Sequence, residues 1–183
     1  DIITYEIESG DSDVLKYVEN NAEINPSPET LKIIQDKYDK PVSMVRLGMD
    51  YPEWVDFEQE IKLHNKVIQI EKLNLSKVVD LYNCTDVLLF PSFYEGFGRP
   101  PIEAMACGKP LVLYSIQPHD EVIENSKAGL TFNSMEPEEI CKKVIQAYKN
   151  KNQFSEAALS YSKNLDWKKI CNQISHIYQK VCS

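Results

Sequence analysis

Basic residues are in short supply. The 183-residue chain sets 20 Lys and Arg against 28 Asp and Glu, a formal net charge of −8, with a pI near 5.0. That balance argues against nucleic acid as the main partner, because neutralising phosphates needs clustered Lys and Arg. It argues equally against an anionic membrane surface as this chain's own docking site. No stretch approaches the roughly 18–20 apolar residues of a direct membrane span, and no signal peptide is visible. The five cysteines form no CxxC pair, and His64, His119 and His176 meet no cysteine at ligand spacing, so nothing supports a metal site. Three of the cysteines fall on apolar stripes of predicted helices and read as small buried hydrophobes in a reducing cytosol. Six glycines and ten prolines exclude a collagen-like or low-complexity chain. There is no internal repeat.

What is present fits one soluble globular domain. Apolar residues make up 43% and charged residues 26%, and the length suffices to bury a core of its own. The first residue is Asp rather than Met, so the chain reads as trimmed or as part of something larger. Strands are expected at Ile2–Ile7, Val42–Leu47, Val67–Ile70, Asp86–Phe90, Pro110–Tyr114 and Gly129–Phe132. The first of these has no clear partner in the polar residues after it. Helices are expected near 28–38, 53–63, 76–83, 100–106 and 118–125, then across Ile140, Val144, Ala147 and Tyr148, and over about 154–163. A final stripe runs Trp167, Ile170, Cys171, Ile174, Ile177, Tyr178, Val181 and reads as core or as a docking face. Strands alternating with helices predict a Rossmann-like three-layer α/β/α fold with a mostly parallel sheet. Residues 1–183 then form a single domain: an unassigned leader to 26, a core over 27–150, and C-terminal helices over 151–183.

In such sheets ligands bind beyond the carboxyl ends of strands. That draws attention to the turn after Asp86–Phe90, which reads Phe93-Tyr94-Glu95-Gly96-Phe97-Gly98-Arg99-Pro100-Pro101-Ile102-Glu103. Gly96 and Gly98 lack Cβ and let a ligand approach the backbone. Their amides, with those at the start of the next helix, suit an anion. Glu95 and Glu103 can each accept bonds from neighbouring hydroxyls. Arg99 is the nearest cation for a diphosphate, and Lys109 a weaker second. A plainer reading also stands: glutamates near a helix start favour the dipole, and glycines shape turns. His119 reads as an exposed polar residue, and Tyr94 as a residue that packs on a sugar or in the core.

The segment Asp86–Pro110 (DVLLFPSFYEGFGRPPIEAMACGKP) closely resembles the donor-binding domain of retaining glycosyltransferases of the group 1, or family 4, type with the GT-B fold. The Glu-x7-Glu motif lies at Glu95 and Glu103, and Ala104-Met105-Ala106-Cys107-Gly108-Lys109-Pro110 follows it. Leu81-Tyr82, Glu121-Val122-Ile123 and Ala128-Gly129-Leu130 fit on the flanks. The strong match covers about 81–131, and a weaker one runs from about 28 to the C-terminus, including Asp166-Trp167. The resemblance implies the C-terminal half of a GT-B enzyme that takes sugar from a nucleotide-diphosphate sugar, with no metal or other cofactor, in glycan or polysaccharide biosynthesis. Glu103 would hold the ribose hydroxyls. Glu95 would hold the transferred sugar near the reacting carbon, which makes it the catalytic residue. Gly96, Phe97 and Gly98 would meet sugar and diphosphate through their amides, with Arg99 beside them, and Ile70–Lys72 would lie near the nucleobase.

Two departures accompany that match. The acceptor-binding N-terminal domain has no counterpart here, so a glycan or lipid-linked acceptor would come through a missing domain. The basic loop expected after the first strand is replaced by Glu8-Ser9-Gly10-Asp11. A non-catalytic Rossmann-like binding or interaction module is therefore the alternative. A signalling domain would need a phosphorylatable or cofactor-binding loop that is not found. The expected location is cytoplasmic, with peripheral membrane recruitment through a partner left open.

Overall fold

The computed structural model describes residues 2–6, 43–47, 67–70 and 73–182. Its centre is a six-stranded sheet of β1 (Ile2–Glu6), β2 (Ser43–Leu47), β3 (Val67–Ile70), β4 (Val87–Phe90), β5 (Leu111–Tyr114) and β6 (Gly129–Phe132). The strand order is β3-β2-β1-β4-β5-β6, and every neighbouring pair is parallel. The chain therefore starts in the middle, winds outward to β3, and returns to the other side of β1. The order reverses between β1 and β4, which is where a doubly wound sheet opens a crevice. The expected Rossmann-like fold is present. One expectation changes: the strand that reads without a partner pairs on both sides, with β2 at Ile2↔Ser43 and with β4 at Ile3↔Val87.

Why the apolar runs become strands is visible in their two faces. Val87 and Leu89 of β4 join Val112 and Phe132 against Ile140, Cys141, Val144 and Ala147. These last four lie on α4 (Pro137–Lys149). Leu88 and Phe90 join Leu111 and Leu113 on the opposite face. There they meet residues from α1 (Leu75–Cys84), α2 (Arg99–Ala106), α3 (Gln117–Ser126) and α5 (Lys151–Ser162). A strand covered on both sides needs apolar residues at every position, and β4 is buried throughout.

Local signals set the helix ends. Asn74 Oδ1 accepts the Lys77 amide at 3.0 Å and caps α1. Gly108, at φ 69°, stops the turn after α2. Glu138 and Glu139 open α4 and Lys149 closes it, each opposite to the dipole end beside it. Lys151 Nζ lies 3.1 Å from Asp86 Oδ1 and ties the start of α5 to the entry of β4.

One expectation about burial fails, and another is narrowed from core or docking face to an exposed face. Of the five cysteines only Cys141 is buried, with Cys107 half-buried and Cys84, Cys171 and Cys182 exposed. The last helix, α6 (Trp167–Val181), has its amphipathic stripe but buries no residue. Trp167 is 77% exposed and Val181 78%. Helical periodicity shows that a face is apolar, not what covers it. With none of its residues fully buried and only Ile170 half-buried, α6 leans on its cap, where Asp166 Oδ1 accepts the Lys168 amide at 2.7 Å. We expect Asp166→Ala to cost the helix about 1 kcal/mol. Amide exchange should speed up in the first two turns of α6 while the melting temperature of the domain stays put. Unchanged exchange would contradict this account. No helix among the described residues is long and apolar enough to cross a membrane.

The expected helices near 28–38 and 53–63, the loop after the first strand, and Glu71 and Lys72 lie outside the described residues.

Candidate functional site

Strand β4 ends at Phe90, and the loop that follows it stands at the reversal point of the sheet. Pro91 is buried and ends the strand, and the chain bends at Phe93. Ser92 Oγ donates to the Tyr94 carbonyl at 3.2 Å and shapes the next step. Glu95 is half-buried, whereas Gly96 and Phe97 are exposed. Tyr94, at 80% exposed, belongs to no core. A Cβ built on Gly96 would meet nothing within 4 Å, so the backbone there lies open.

Gly98 is different. It is buried, sits at φ 74°, and forms the N-cap of α2 with no side-chain capping bond. A left-handed N-cap is a position for glycine. The next residues, Arg99, Pro100 and Pro101, are the first three of the helix. A helix start normally leaves four amides unpaired. Two are deleted here by proline, so the donors left at this end are the amides of Gly98 and Arg99. With the amides of Gly96 and Phe97 they are the backbone donors this loop could present to an anion.

Glu103 lies one turn into α2, and the turn brings it back to the helix start. Its Oε1 is 3.1 Å from Arg99 Nη2. Its Oε2 is 3.5 Å from the Tyr82 hydroxyl on α1. The carboxylate thus spans a cation and a phenol, with 34% of its side chain exposed against 76% for Arg99. Such an exposed i,i+4 pair is worth well under about 1 kcal/mol, so a ligand can replace it readily. Arg99 is engaged with Glu103 rather than extended toward the loop. The other expected cation is further committed: Lys109 Nζ donates to the Asn83 carbonyl at 3.1 Å. Cys107 follows Glu103 by one turn. Burial pushes its thiol up, against the pull of Lys109, so the residue is no ready nucleophile.

The floor beneath the loop comes from α3. Ser115 Oγ donates to both carboxylate oxygens of Asp120, at 3.0 and 2.9 Å, and pins the turn out of β5. His119 is fully buried, which corrects its reading as an exposed polar residue. Its Nδ1 lies 2.7 Å from the Tyr114 carbonyl, and its ring meets Phe90 edge-on at 5.5 Å. A cavity of about 300 Å³ opens beside this floor, lined by Gly96, Phe97, Ile102, Gln117, Pro118 and Glu121 among others. It does not include Glu95, Arg99 or Glu103.

The expected site residues therefore fall into two arrangements: Glu95, Gly96, Phe97 and Gly98 on one loop, and Arg99 with Glu103 on the first turns of α2. Sequence reasoning missed Tyr82 as a partner of Glu103, since the two lie 21 positions apart. It also missed the burial of His119. Chemically, the loop can offer amides to an anion and the Glu95 carboxylate to hydroxyls, and α2 adds the Glu103 carboxylate, a set that suits a ligand carrying both phosphate and a vicinal diol.

Comparison with known proteins points the same way. The family model described as glycosyl transferases group 1 matches residues 29–165. O-antigen chain mannosyltransferase B of Escherichia coli is 31% identical over 103 residues, covering 54% of this chain and 26% of that protein. O-antigen chain mannosyltransferase RfbU of Salmonella typhimurium is 36% identical over 66 residues, covering 36% and 19%. Among solved structures, sucrose-phosphate synthase from Thermosynechococcus elongatus superposes with a TM-score of 0.70 at 20% identity, covering 98% of this chain and 45% of that one. Anabaena HepE in complex with UDP and glucose gives 0.70 at 19% identity, covering 98% and 48%. The chain spans less than a third of these curated relatives and less than half of these solved chains.

Proposed function

The chain belongs to the group 1 glycosyl transferases, and from that premise we propose that it is the donor-binding half of a retaining enzyme that takes its sugar from a nucleotide-diphosphate sugar. One observation carries the proposal. The glycine loop and the start of α2, which carries Glu103 one turn on, follow β4 at the point where the strand order reverses, the place where doubly wound sheets hold nucleotides.

In this proposal the diphosphate lies on the amides of Gly96, Phe97, Gly98 and Arg99. Glu103 exchanges its bond to Arg99 for the ribose hydroxyls, which frees the guanidinium to face the phosphates. Glu95 accepts hydroxyls of the transferred sugar beside the reacting carbon. As the bond from that carbon to the diphosphate breaks, negative charge grows on the leaving oxygen. Fixed amides aimed at that oxygen lower the barrier without reorganising. Neutralisation is assigned to the backbone and Arg99, with no metal ion or cofactor taking part. The acceptor, a glycan or a lipid-linked sugar, is assigned to a separate domain, as is removal of its proton. The O-antigen mannosyltransferases among the relatives, and the UDP and glucose held by HepE, support this class of chemistry. The proposed setting is a protein of the cytoplasm, held at a membrane only through other segments or partners.

A thermal-shift screen against uridine, guanosine and adenosine diphosphate sugars tests the proposal, run on the wild type and on Glu103→Ala. Ligand at about 100 times its dissociation constant should stabilise the fold by roughly 2.7 kcal/mol. The shift should appear with one nucleotide class and vanish in the variant, whose fold loses an exposed ion pair and a long bond to Tyr82. Equal shifts in both proteins, or no shift with any donor, would sink it.

A further inference from the structure

His119 has an unusual environment for a core histidine. The ring is fully buried. Its Nδ1 lies 2.7 Å from the Tyr114 carbonyl, an atom that can only accept, so Nδ1 carries a hydrogen whether the ring is neutral or charged. That fixes Nε2 as the lone-pair nitrogen of the neutral ring. Nε2 is buried and has no hydrogen-bond partner among the described residues. Buried polar atoms are nearly always paired, so an orphan acceptor asks for an explanation. Its direction supplies one. Nε2 lies 3.5 Å from where a Cβ on Gly98 would stand, and Cδ2 lies 3.7 Å from it. The orphan nitrogen thus faces the left-handed N-cap of α2, beneath the loop whose amides suit an anion.

We propose that His119 is a positioning residue of this site, which takes up a proton from solvent at Nε2 when a diphosphate binds the glycine loop above it. The inference rests on the donor reading and adds to it a buried charge that appears only with the ligand. Without ligand, burial and the positive end of α2 both oppose a cation at this spot. Burial holds the imidazole below its usual range, outweighing the Tyr114 carbonyl and Asp120, which pull the other way. A diphosphate brings about two negative charges to the same helix end and reverses the local field. The charge at Nε2 then sits at the Gly98 N-cap beneath the bound diphosphate, and the attraction between imidazolium and anion stiffens the loop in its bound form.

Few described groups compete for this role. Asp120, on the same helix, is held by Ser115 and favours the cation. Phe90 from β4 and Gly98 and Pro101 from α2 bring no charge to the ring. Arg99 and Glu103 are paired with each other. Glu121 is exposed on the cavity wall.

The sign of the effect is set by the direction of proton transfer. Binding that takes up a proton tightens as pH falls, by at most about tenfold per unit between the free and bound values. UDP-glucose and GDP-mannose are suitable probes, because their diphosphates are diesters and do not themselves titrate near neutrality. The protein at its natural length would be titrated with both by calorimetry from pH 8 to pH 6, in buffers of different ionisation enthalpy. Affinity for the preferred donor should rise about threefold to tenfold over that range, with net proton uptake. His119→Asn keeps an N–H for the Tyr114 carbonyl but cannot charge. It should bind at the wild type's weaker, high-pH level, with neither slope nor uptake. A flat wild type, or a slope that survives in the Asn variant, overturns the inference while leaving the donor reading intact. No binding of any donor at any pH overturns both. If the variant does not fold, the Nε2 nitrogen resonance of wild-type His119 decides: it should move from its lone-pair to its protonated position on adding donor, and a fixed resonance overturns the proposal.

Discussion

Gly129→Ala is expected to cost the domain about 3–5 kcal/mol, at the upper end of single substitutions. Gly129 opens β6 directly against Leu111 of β5. A Cβ there would stand 2.0 Å from the Leu111 carbonyl oxygen, 2.7 Å from its carbon and 2.8 Å from its Cβ. Those atoms belong to the backbone end of a strand, so no side-chain rotation relieves the overlap. Moving β5 is no easier, because it is paired on both sides. The Leu111 amide donates to the Ala128 carbonyl at 3.0 Å, and the Pro110 carbonyl accepts from Leu88 at 2.9 Å. Ordinary overpacking costs about 1–3 kcal/mol when side chains can give; here a ladder must break as well. Urea unfolding followed by circular dichroism would show the loss, together with a melting temperature lower by roughly 10 °C. An unchanged midpoint would mean that the two strands separate more easily than their pairing indicates.

Phe90→Ala has the second large effect, and it reaches the site as well as the core. Phe90 is the last residue of β4, is fully buried, and supports the His119 ring edge-on. Truncating a buried phenylalanine to alanine costs about 3–5 kcal/mol, the transfer loss plus the cavity left behind. The cavity would open beside His119, one residue before the loop begins. The Gly98 amide should therefore shift in NMR spectra even under conditions where the variant stays folded. Phe90→Leu keeps most of the volume and should cost about 1 kcal/mol. Similar unfolding midpoints for the two variants would refute the cavity argument.

How far the fold was legible depends on how local its signals are. Strands β4, β5 and β6 announce themselves as short apolar runs bounded by proline or glycine, and the helices between them by period and caps. The place of β1 is another matter. Five residues do not specify partners that lie about forty and about eighty positions away, and no periodicity encodes such pairing. The stripe of α6 was readable as a stripe, while its exposure depends on what surrounds it. His119 sits between Pro118 and Asp120 and looks polar in any window; the Phe90 ring and the close approach of Gly98 bury it. At the site, the loop glycines and both glutamates came from the motif. The Arg99–Glu103 pair follows from i,i+4 spacing. Tyr82 reaches Glu103 only because α1 and α2 pack on the same face of the sheet.

The central position of β1 also imposes an order of events during synthesis. One edge of β1 meets β2, but its other edge is reserved for β4. At about 5–20 residues per second, roughly 80 residues take on the order of 10 s to emerge. For that interval the nascent chain carries an unpaired parallel edge, the kind of surface that recruits other strands. The segment from α1 to α5 closes its own contacts among β4, β5 and β6. Among the six described strands, the central one is thus made before the strands that close around it.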